Sequence, residues 1–180
     1  MADAGELIVK NYLESKGFNV EKIQESDFKT PDFKVHKNSD FVFYCEEKSL
    51  DDKDCDYITP DDLDCFIANN EDSDATYNSL STIIRKAIKQ FNSVNPNREF
   101  PNVLAITNFN IMKDIQDIFI SLTGYAPLES GEYLKIHKVG RLASELHNID
   151  LFLWFNKDNF SGLIWGDNRQ LHVKRLKEIF

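Results

Sequence analysis

The chain has 180 residues, of which 42% are hydrophobic and 28% are charged, and this mixture predicts one globular domain over residues 1–180 rather than a disordered chain. The first residues lack the basic and hydrophobic runs of a signal peptide, and the longest hydrophobic run, Leu151 to Phe155, is too short to cross a bilayer. Three cysteines without a CxxC pair indicate reduced thiols, so we expect a cytoplasmic protein with no membrane association.

The net charge of −9 belongs to one segment of the chain. Residues 50–74 contain ten acids and one base, Lys53, whereas the remaining residues balance at 20 acids and 20 bases. Charge therefore neither supports nor excludes a face that binds nucleic acid elsewhere on the protein. Because this segment shows no clean helix or strand period, we expect a loop-rich acidic insertion over about residues 50–76.

The amino-terminal part of the chain is predicted to form one helix followed by three strands. Residues 5–16 carry hydrophobic side chains at helical spacing, and Gly17 supplies the stop. Alternation of hydrophobic and polar residues predicts strands over 18–23, 32–36 and 41–48. Because their connections are short, we expect the three strands to form an antiparallel meander.

A second helix and a fourth strand follow the acidic segment. Residues 77–93 carry a continuous hydrophobic stripe at i, i+3 and i+4, and residues 103–107 form a short hydrophobic run. From about residue 108 to residue 180 we expect a C-terminal extension. Its predicted elements are helices at 111–122, 138–147 and 168–179 and strands at 133–137, 151–155 and 161–165. The order α-β-β-β-α-β with additions indicates an α/β fold, with three α/β/α layers and a mixed central sheet.

Three polar residues stand at strand ends where they can meet. Asp32 follows Pro31 at the start of the second strand, and Glu46 and Lys48 lie two residues apart at the end of the third. Period-two geometry places Glu46 and Lys48 on one face, and a meander can bring Asp32 beside Glu46. Two converging carboxylates suit Mg²⁺ or Mn²⁺, and a lysine alongside can hold a water molecule or stabilise phosphate charge.

The pattern P-D-x13-E-x-K resembles the active-site motif of the PD-(D/E)XK nuclease superfamily, and the resemblance covers roughly residues 5–107. It implies a restriction-endonuclease-like core and Mg²⁺- or Mn²⁺-dependent hydrolysis of phosphodiester bonds. It also implies that Asp32 and Glu46 bind the metal with help from the main-chain carbonyl of Glu47, and that Lys48 positions or activates the attacking water. Nucleic acid is the implied partner, DNA rather than RNA, and a homodimer is left open.

The resemblance extends to the two helices beside the motif. The family often has an acidic residue on its first helix, where Glu6 lies, and polar or basic residues on the helix after the motif, where Lys86 and Gln90 lie. Lys86 and Gln90 are one helical turn apart and flank the hydrophobic stripe, so both can reach toward the site. We therefore add these three residues to the predicted site.

Two departures and three other interpretations accompany the resemblance. The acidic insertion after Leu50 places many carboxylates near the site, and we interpret it as a solvated loop. The family usually has a hydrophobic residue where this chain has Glu47, so we expect an open face or a partner for that carboxylate. Glu46 and Lys48 could instead be an exposed ion pair at a strand end. The chain could be a nuclease-fold module without activity that binds a protein through its acidic segment. Another kind of metal hydrolase would need histidine ligands, and the motif has none.

Overall fold

The computed structural model describes residues 3–24, 29–50, 72–110, 113–136, 142, 146–166 and 170–180. Its elements in chain order are α1 (Ala4–Ser15), β1 (Asn19–Lys22), β2 (Phe33–Lys37), β3 (Asp40–Leu50), α2 (Asp72–Val94), β4 (Asn102–Asn108), α3 (Ile115–Thr123), β5 (Tyr125–Pro127), β6 (Tyr133–Lys135), a 3₁₀ turn (Leu146–Asn148), β7 (Leu151–Asn156), β8 (Asn159–Trp165) and α4 (Gln170–Lys177). The α-β-β-β-α-β order predicted for the first part of the chain is confirmed by α1 to β4.

Six strands form a mixed sheet in the order β1-β2-β3-β4-β7-β8. β1, β2 and β3 pair antiparallel, which confirms the predicted meander. β3, β4 and β7 run parallel, and β8 returns antiparallel to β7. Because parallel neighbours need a crossover, α2 connects β3 to β4, and α3 lies between β4 and β7. A separate hairpin is formed by β5 and β6.

Helices cover both faces of the six-stranded sheet. Side chains alternate along each strand, so Phe43 and Cys45 face the core that includes Leu13 of α1, while Leu104 faces the core that includes Ile84 of α2. α4 joins the first of these cores and α3 the second. The protein is therefore an α/β structure with a mixed sheet, compatible with the predicted three layers.

Several element boundaries differ from the predictions. α2 begins at Asp72, so the predicted acidic insertion ends earlier than residue 76, and Leu50 still belongs to β3. The predicted start at residue 77 rests on the hydrophobic stripe, which begins at Leu80 and gives no signal for the helical turns before it. Residues 51–71, and most of the helix predicted over 138–147, lie outside the described residues.

The start of α3 is set by a cap rather than by its hydrophobic stripe. Asp114 Oδ1 accepts a hydrogen bond from Gln116 N at 2.7 Å, and Asp114 N donates to Asp117 Oδ2 at 2.8 Å. This reciprocal pair begins the helix at Ile115 instead of residue 111. No helix within the described residues is both long and hydrophobic enough to span a lipid bilayer.

Candidate active site

Asp32 and Glu46 are held side by side where β2 meets β3. Asp32 directly precedes β2, whose first residue Phe33 pairs with Cys45 of β3. The Asp32 N–H donates to Glu46 Oε2 at 3.0 Å, and the Glu47 N–H donates to Asp32 Oδ2 at 2.8 Å. The Glu46 carboxylate is thus held by the main chain of Asp32, and the Asp32 carboxylate is held by the main chain that follows Glu46. The meander brings the two acids together as predicted.

Lys48 lies on the same face of β3 as Glu46, as the period-two geometry predicts. Its Nζ contacts Glu46 Oε1 directly. The Glu46 side chain is completely buried, whereas that of Lys48 is 23% exposed. The lysine therefore neutralises part of a buried negative charge and keeps its ammonium group in reach of solvent.

The electrostatics of Glu46 indicate a shortage of positive charge. Burial raises the pKa of Glu46 to about 8, the charge of Asp32 adds to this rise, and Lys48 opposes it. A carboxyl group with such a pKa keeps its proton at neutral pH unless a further cation lies close to it. The pair of acids is therefore a place where a divalent cation would relieve an electrostatic cost.

Glu47 points to the opposite face of the sheet, where it packs against the first turn of α1. It is buried, and Ser49 Oγ donates to its Oε1 at 2.9 Å. A Cβ added to Gly5 would lie 2.1 Å from that oxygen, so the helix approaches this closely only because residue 5 has no side chain. Burial raises the pKa of Glu47 to about 7, and the hydrogen bond from Ser49 opposes the rise. The sequence predicts either an open face or a partner for Glu47, and the structure shows a partner, Ser49.

Glu6 joins the site through Lys22, a residue that the sequence pattern does not predict. Lys22 Nζ lies 2.6 Å from Glu6 Oε1 and 3.1 Å from Asp32 Oδ1. Burial lowers the pKa of Lys22, but its hydrogen bonds and charge interactions with Glu6 and Asp32 outweigh this and leave the pKa raised. The available signal was the meander itself, because antiparallel pairing sets Lys22 opposite Phe33, beside Asp32.

Gln90 and Lys86 differ in how they relate to the acids. Gln90 Nε2 donates to the Thr30 carbonyl at 2.9 Å, so Gln90 fixes the segment that leads into Asp32 instead of touching a carboxylate. Lys86 lies one helical turn earlier and is exposed. No hydrogen bond or ion pair found among the described residues joins Lys86 to the acids. The structure therefore brings Gln90 to the edge of the site and leaves Lys86 at the surface.

The oxygen atoms of this site suit a hard divalent cation. Each oxygen of the Asp32 and Glu46 carboxylates accepts one hydrogen bond, from Lys22, Glu47, Lys48 or Asp32 itself, which leaves lone pairs for a metal. Within the described ranges, no group of three or more His, Cys, Asp or Glu side chains is placed to hold a metal ion. A cation here would accordingly need main-chain oxygen or water ligands beside the two carboxylates.

The candidate site is defined by the contacts among its acidic and lysine side chains. The junction of α1, β1, β2 and β3 brings together Asp32 and Glu46, with Lys48 against Glu46. Lys22 bridges Asp32 to Glu6. Comparison of the chain with known protein families, with curated proteins and with solved structures finds no match.

Proposed function

We propose that this protein is a metal-dependent nuclease that hydrolyses phosphodiester bonds, acts on DNA rather than RNA, and has a restriction-endonuclease-like core. The observation that carries the proposal is the pair of main-chain hydrogen bonds that holds the two acids together, with Lys48 against the second acid. The Asp32 N–H donates to Glu46, and the Glu47 N–H donates to Asp32. Acids outnumber lysines in this group, so a bound cation would complete its charge balance.

Asp32 and Glu46 would hold Mg²⁺ or Mn²⁺ together with the main-chain carbonyl of Glu47. When bound, the cation would polarise the scissile phosphate and withdraw charge from it. Lys48, which is partly exposed beside Glu46, positions the attacking water and stabilises the negative charge that develops on the phosphate.

The residues around this centre would have supporting roles. Gln90 keeps the Asp32 segment in place through Thr30. Lys86 is exposed on the same side of α2, where a lysine contributes to nucleic-acid binding by neutralising a backbone phosphate. Glu6 acts on Asp32 through the bridging ammonium of Lys22.

The test is cleavage of plasmid DNA, single-stranded DNA and RNA in the presence of Mg²⁺ or Mn²⁺. We expect Asp32→Ala and Lys48→Ala each to lower cleavage by about 100-fold or more, because each removes a group that acts on the reacting phosphate. Lys10→Ala is the matched control, since Lys10 is a partly exposed lysine of α1 that pairs with Glu14 at 3.8 Å and does not contact the site.

Circular dichroism melts of the same variants show whether each one is still folded. Cleavage that persists undiminished in both folded site variants contradicts the proposal. Activity on RNA without activity on DNA would retain the chemistry and overturn the choice of substrate.

A second candidate is an inactive module that binds a protein partner through the acidic segment 50–74. It is favoured by the fact that every oxygen of Asp32 and Glu46 already accepts a hydrogen bond from the protein. Calorimetry separates the two candidates. Mn²⁺ binding that is lost in Asp32→Ala supports the nuclease, and the absence of any Mn²⁺ binding supports the module.

A further inference from the structure

We propose that Lys22 occupies the place of a second divalent cation beside Asp32, so that the site binds one metal ion rather than two. This inference rests on the proposed function. Nucleases that use two cations hold them about 3.5–4 Å apart, with acidic side chains around both. Here Asp32 is flanked by Glu46 on one side and by Glu6 on the other. The ammonium group of Lys22 lies between Asp32 and Glu6.

The position of Lys22 is fixed from several directions. Its Nζ lies within hydrogen-bonding distance of carboxylates from two different elements, Glu6 in α1 and Asp32 before β2. The same Nζ lies 5.2 Å from the centre of the Phe33 ring, close enough for a cation–π contact. A positive charge held this way repels a divalent cation that approaches the same two carboxylates.

The Lys22 ammonium group contacts one of the two carboxylate oxygens of Glu6. Glu6 Oε1 contacts Lys22, whereas Glu6 Oε2 is buried and has no hydrogen-bond partner among the described residues. If Lys22 lost its charge, Glu6 and Asp32 would face each other without a cation between them. A divalent ion would then relieve their repulsion and could use the free oxygen of Glu6.

Lys22 therefore determines the number of cations without touching the scissile phosphate. It is a positioning residue, because it acts by fixing Glu6 and by occupying one side of Asp32. Lys22 contacts Asp32 through Oδ1, whereas Oδ2 accepts a hydrogen bond from the Glu47 N–H on the side of Glu46.

The experiment counts bound Mn²⁺ by isothermal titration calorimetry and by electron paramagnetic resonance, which detects the magnetic coupling of two neighbouring Mn²⁺ ions. Four proteins are compared: the wild type, Lys22→Met, Lys22→Arg and the control Lys10→Met, which removes the same charge from a surface position. We expect one Mn²⁺ per chain in the wild type, in Lys22→Arg and in Lys10→Met. We expect two coupled Mn²⁺ ions in Lys22→Met.

The outcomes distinguish this inference from the proposed function. One Mn²⁺ in both the wild type and Lys22→Met, or two in the wild type, overturns the role of Lys22 and leaves the metal-dependent nuclease standing. No Mn²⁺ in any of the four proteins overturns the metal site itself. Should Lys22→Met fail to fold, anomalous diffraction from Mn²⁺-soaked wild-type crystals decides: one peak beside Asp32 and Glu46 supports the inference, and a second peak between Glu6 and Asp32 overturns it.

Discussion

Two ionic clusters, one buried and one partly exposed, differ in their balance of charge. The balanced cluster, at the amino ends of β4 and β7, consists of Arg98, Asn102, Asp150 and His172. Its central carboxylate, Asp150, accepts hydrogen bonds from Arg98 Nη2 at 2.7 Å and from Asn102 N at 2.9 Å, and lies 3.2 Å from His172 Nδ1. The acidic cluster is the candidate active site and consists of Glu6, Lys22, Asp32, Glu46, Glu47 and Lys48.

The difference lies in how many partners each acid has. In the balanced cluster one fully buried carboxylate has an arginine, a main-chain N–H and a histidine. In the acidic cluster two lysines contact three acids, and the fourth acid, Glu47, accepts a hydrogen bond from Ser49 on the other face of the sheet. Burial raises the pKa of both Glu46 and Glu47. This excess of acid distinguishes the candidate site from the balanced cluster, and it is the imbalance that the proposed cation would offset.

The largest expected effect is on the balanced cluster. Arg98→Met leaves the buried Asp150 without its cation, and we expect the free energy of unfolding to fall by about 3–5 kcal/mol in urea denaturation. In the Asp150→Asn background the same substitution should cost less, because the two residues interact directly. Lys89→Met, at an exposed position of α2, serves as the control, with an expected change within about 0.5 kcal/mol. A loss of stability no larger than that of the control would show that the ion pair between Arg98 and Asp150 does not stabilise the fold.

A smaller effect is expected where α1 approaches the acidic cluster. A Cβ at position 5 would lie 2.1 Å from Glu47 Oε1 and 2.5 Å from Ser49 Oγ, so we expect Gly5→Ala to destabilise the protein by about 1–3 kcal/mol. The cost should shrink in the Glu47→Ala background, where the nearest clash is absent. Urea denaturation of both pairs of proteins measures the difference.

Gly17→Ala is the matched control for this prediction. Gly17 has a φ of 82° and open space around its Cβ position, so its substitution costs backbone strain alone. That cost should be the same with and without Glu47. If Gly5→Ala is equally costly in the two backgrounds, the contact between α1 and Glu47 does not determine the packing.

The last expected effect concerns the pH dependence of stability without a divalent cation. Burial raises the pKa of Glu46 from its ordinary 4.5 to about 8, so between these pH values the unfolded chain releases a proton that the folded protein retains. The wild type therefore loses stability as pH rises from 5 to 8, and Glu46→Gln has no such loss at this position. Because a tenfold change in proton affinity corresponds to about 1.4 kcal/mol, we expect the variant to gain about 3 kcal/mol relative to the wild type over this range. That gain corresponds to a shift of roughly 6–12 °C in Tm for a protein of this size.

Added Mg²⁺ should reverse this comparison, because a ligand that binds the folded state raises stability and the wild type has the intact pair of acids. Thermal melts at pH 5 and pH 8, with Mg²⁺ or with a chelator, test both parts. A difference between the proteins that does not change with pH would contradict the charge shortage at Glu46.

Much of the acidic cluster follows from the sequence because it depends on local geometry. Period two fixes the shared face of Glu46 and Lys48, and a short meander pairs the strand that follows Asp32 with β3. Gln90 was placed on the right side of α2, although its partner proved to be Thr30 and not an acid. The alternation in β3 also led us to expect that Glu47 needed a partner.

The remaining features depend on contacts between elements that no local pattern encodes. Lys22 ends a strand whose polar side chains resemble ordinary solvated positions, and only the register with β2 sets it beside Asp32. Ser49 and Gly5 meet Glu47 because α1 docks on that face of the sheet. The Arg98–Asp150 pair joins residues 52 positions apart, in the α2–β4 loop and just before β7, and neither residue belongs to a recognisable motif.

Because Gly5 has no side chain, α1 packs closely on Glu47, so the geometry of the site depends on this one short helix. α1 rests on Glu47 at Gly5, and the next residue, Glu6, extends to Lys22. If this first turn frays, the wall beside Asp32 is lost while the six strands stay paired. If the proposed nuclease activity is present, heat or mild chaotropes should therefore abolish cleavage before they melt the sheet, and the temperature at which cleavage is lost would report the fraying of this first turn.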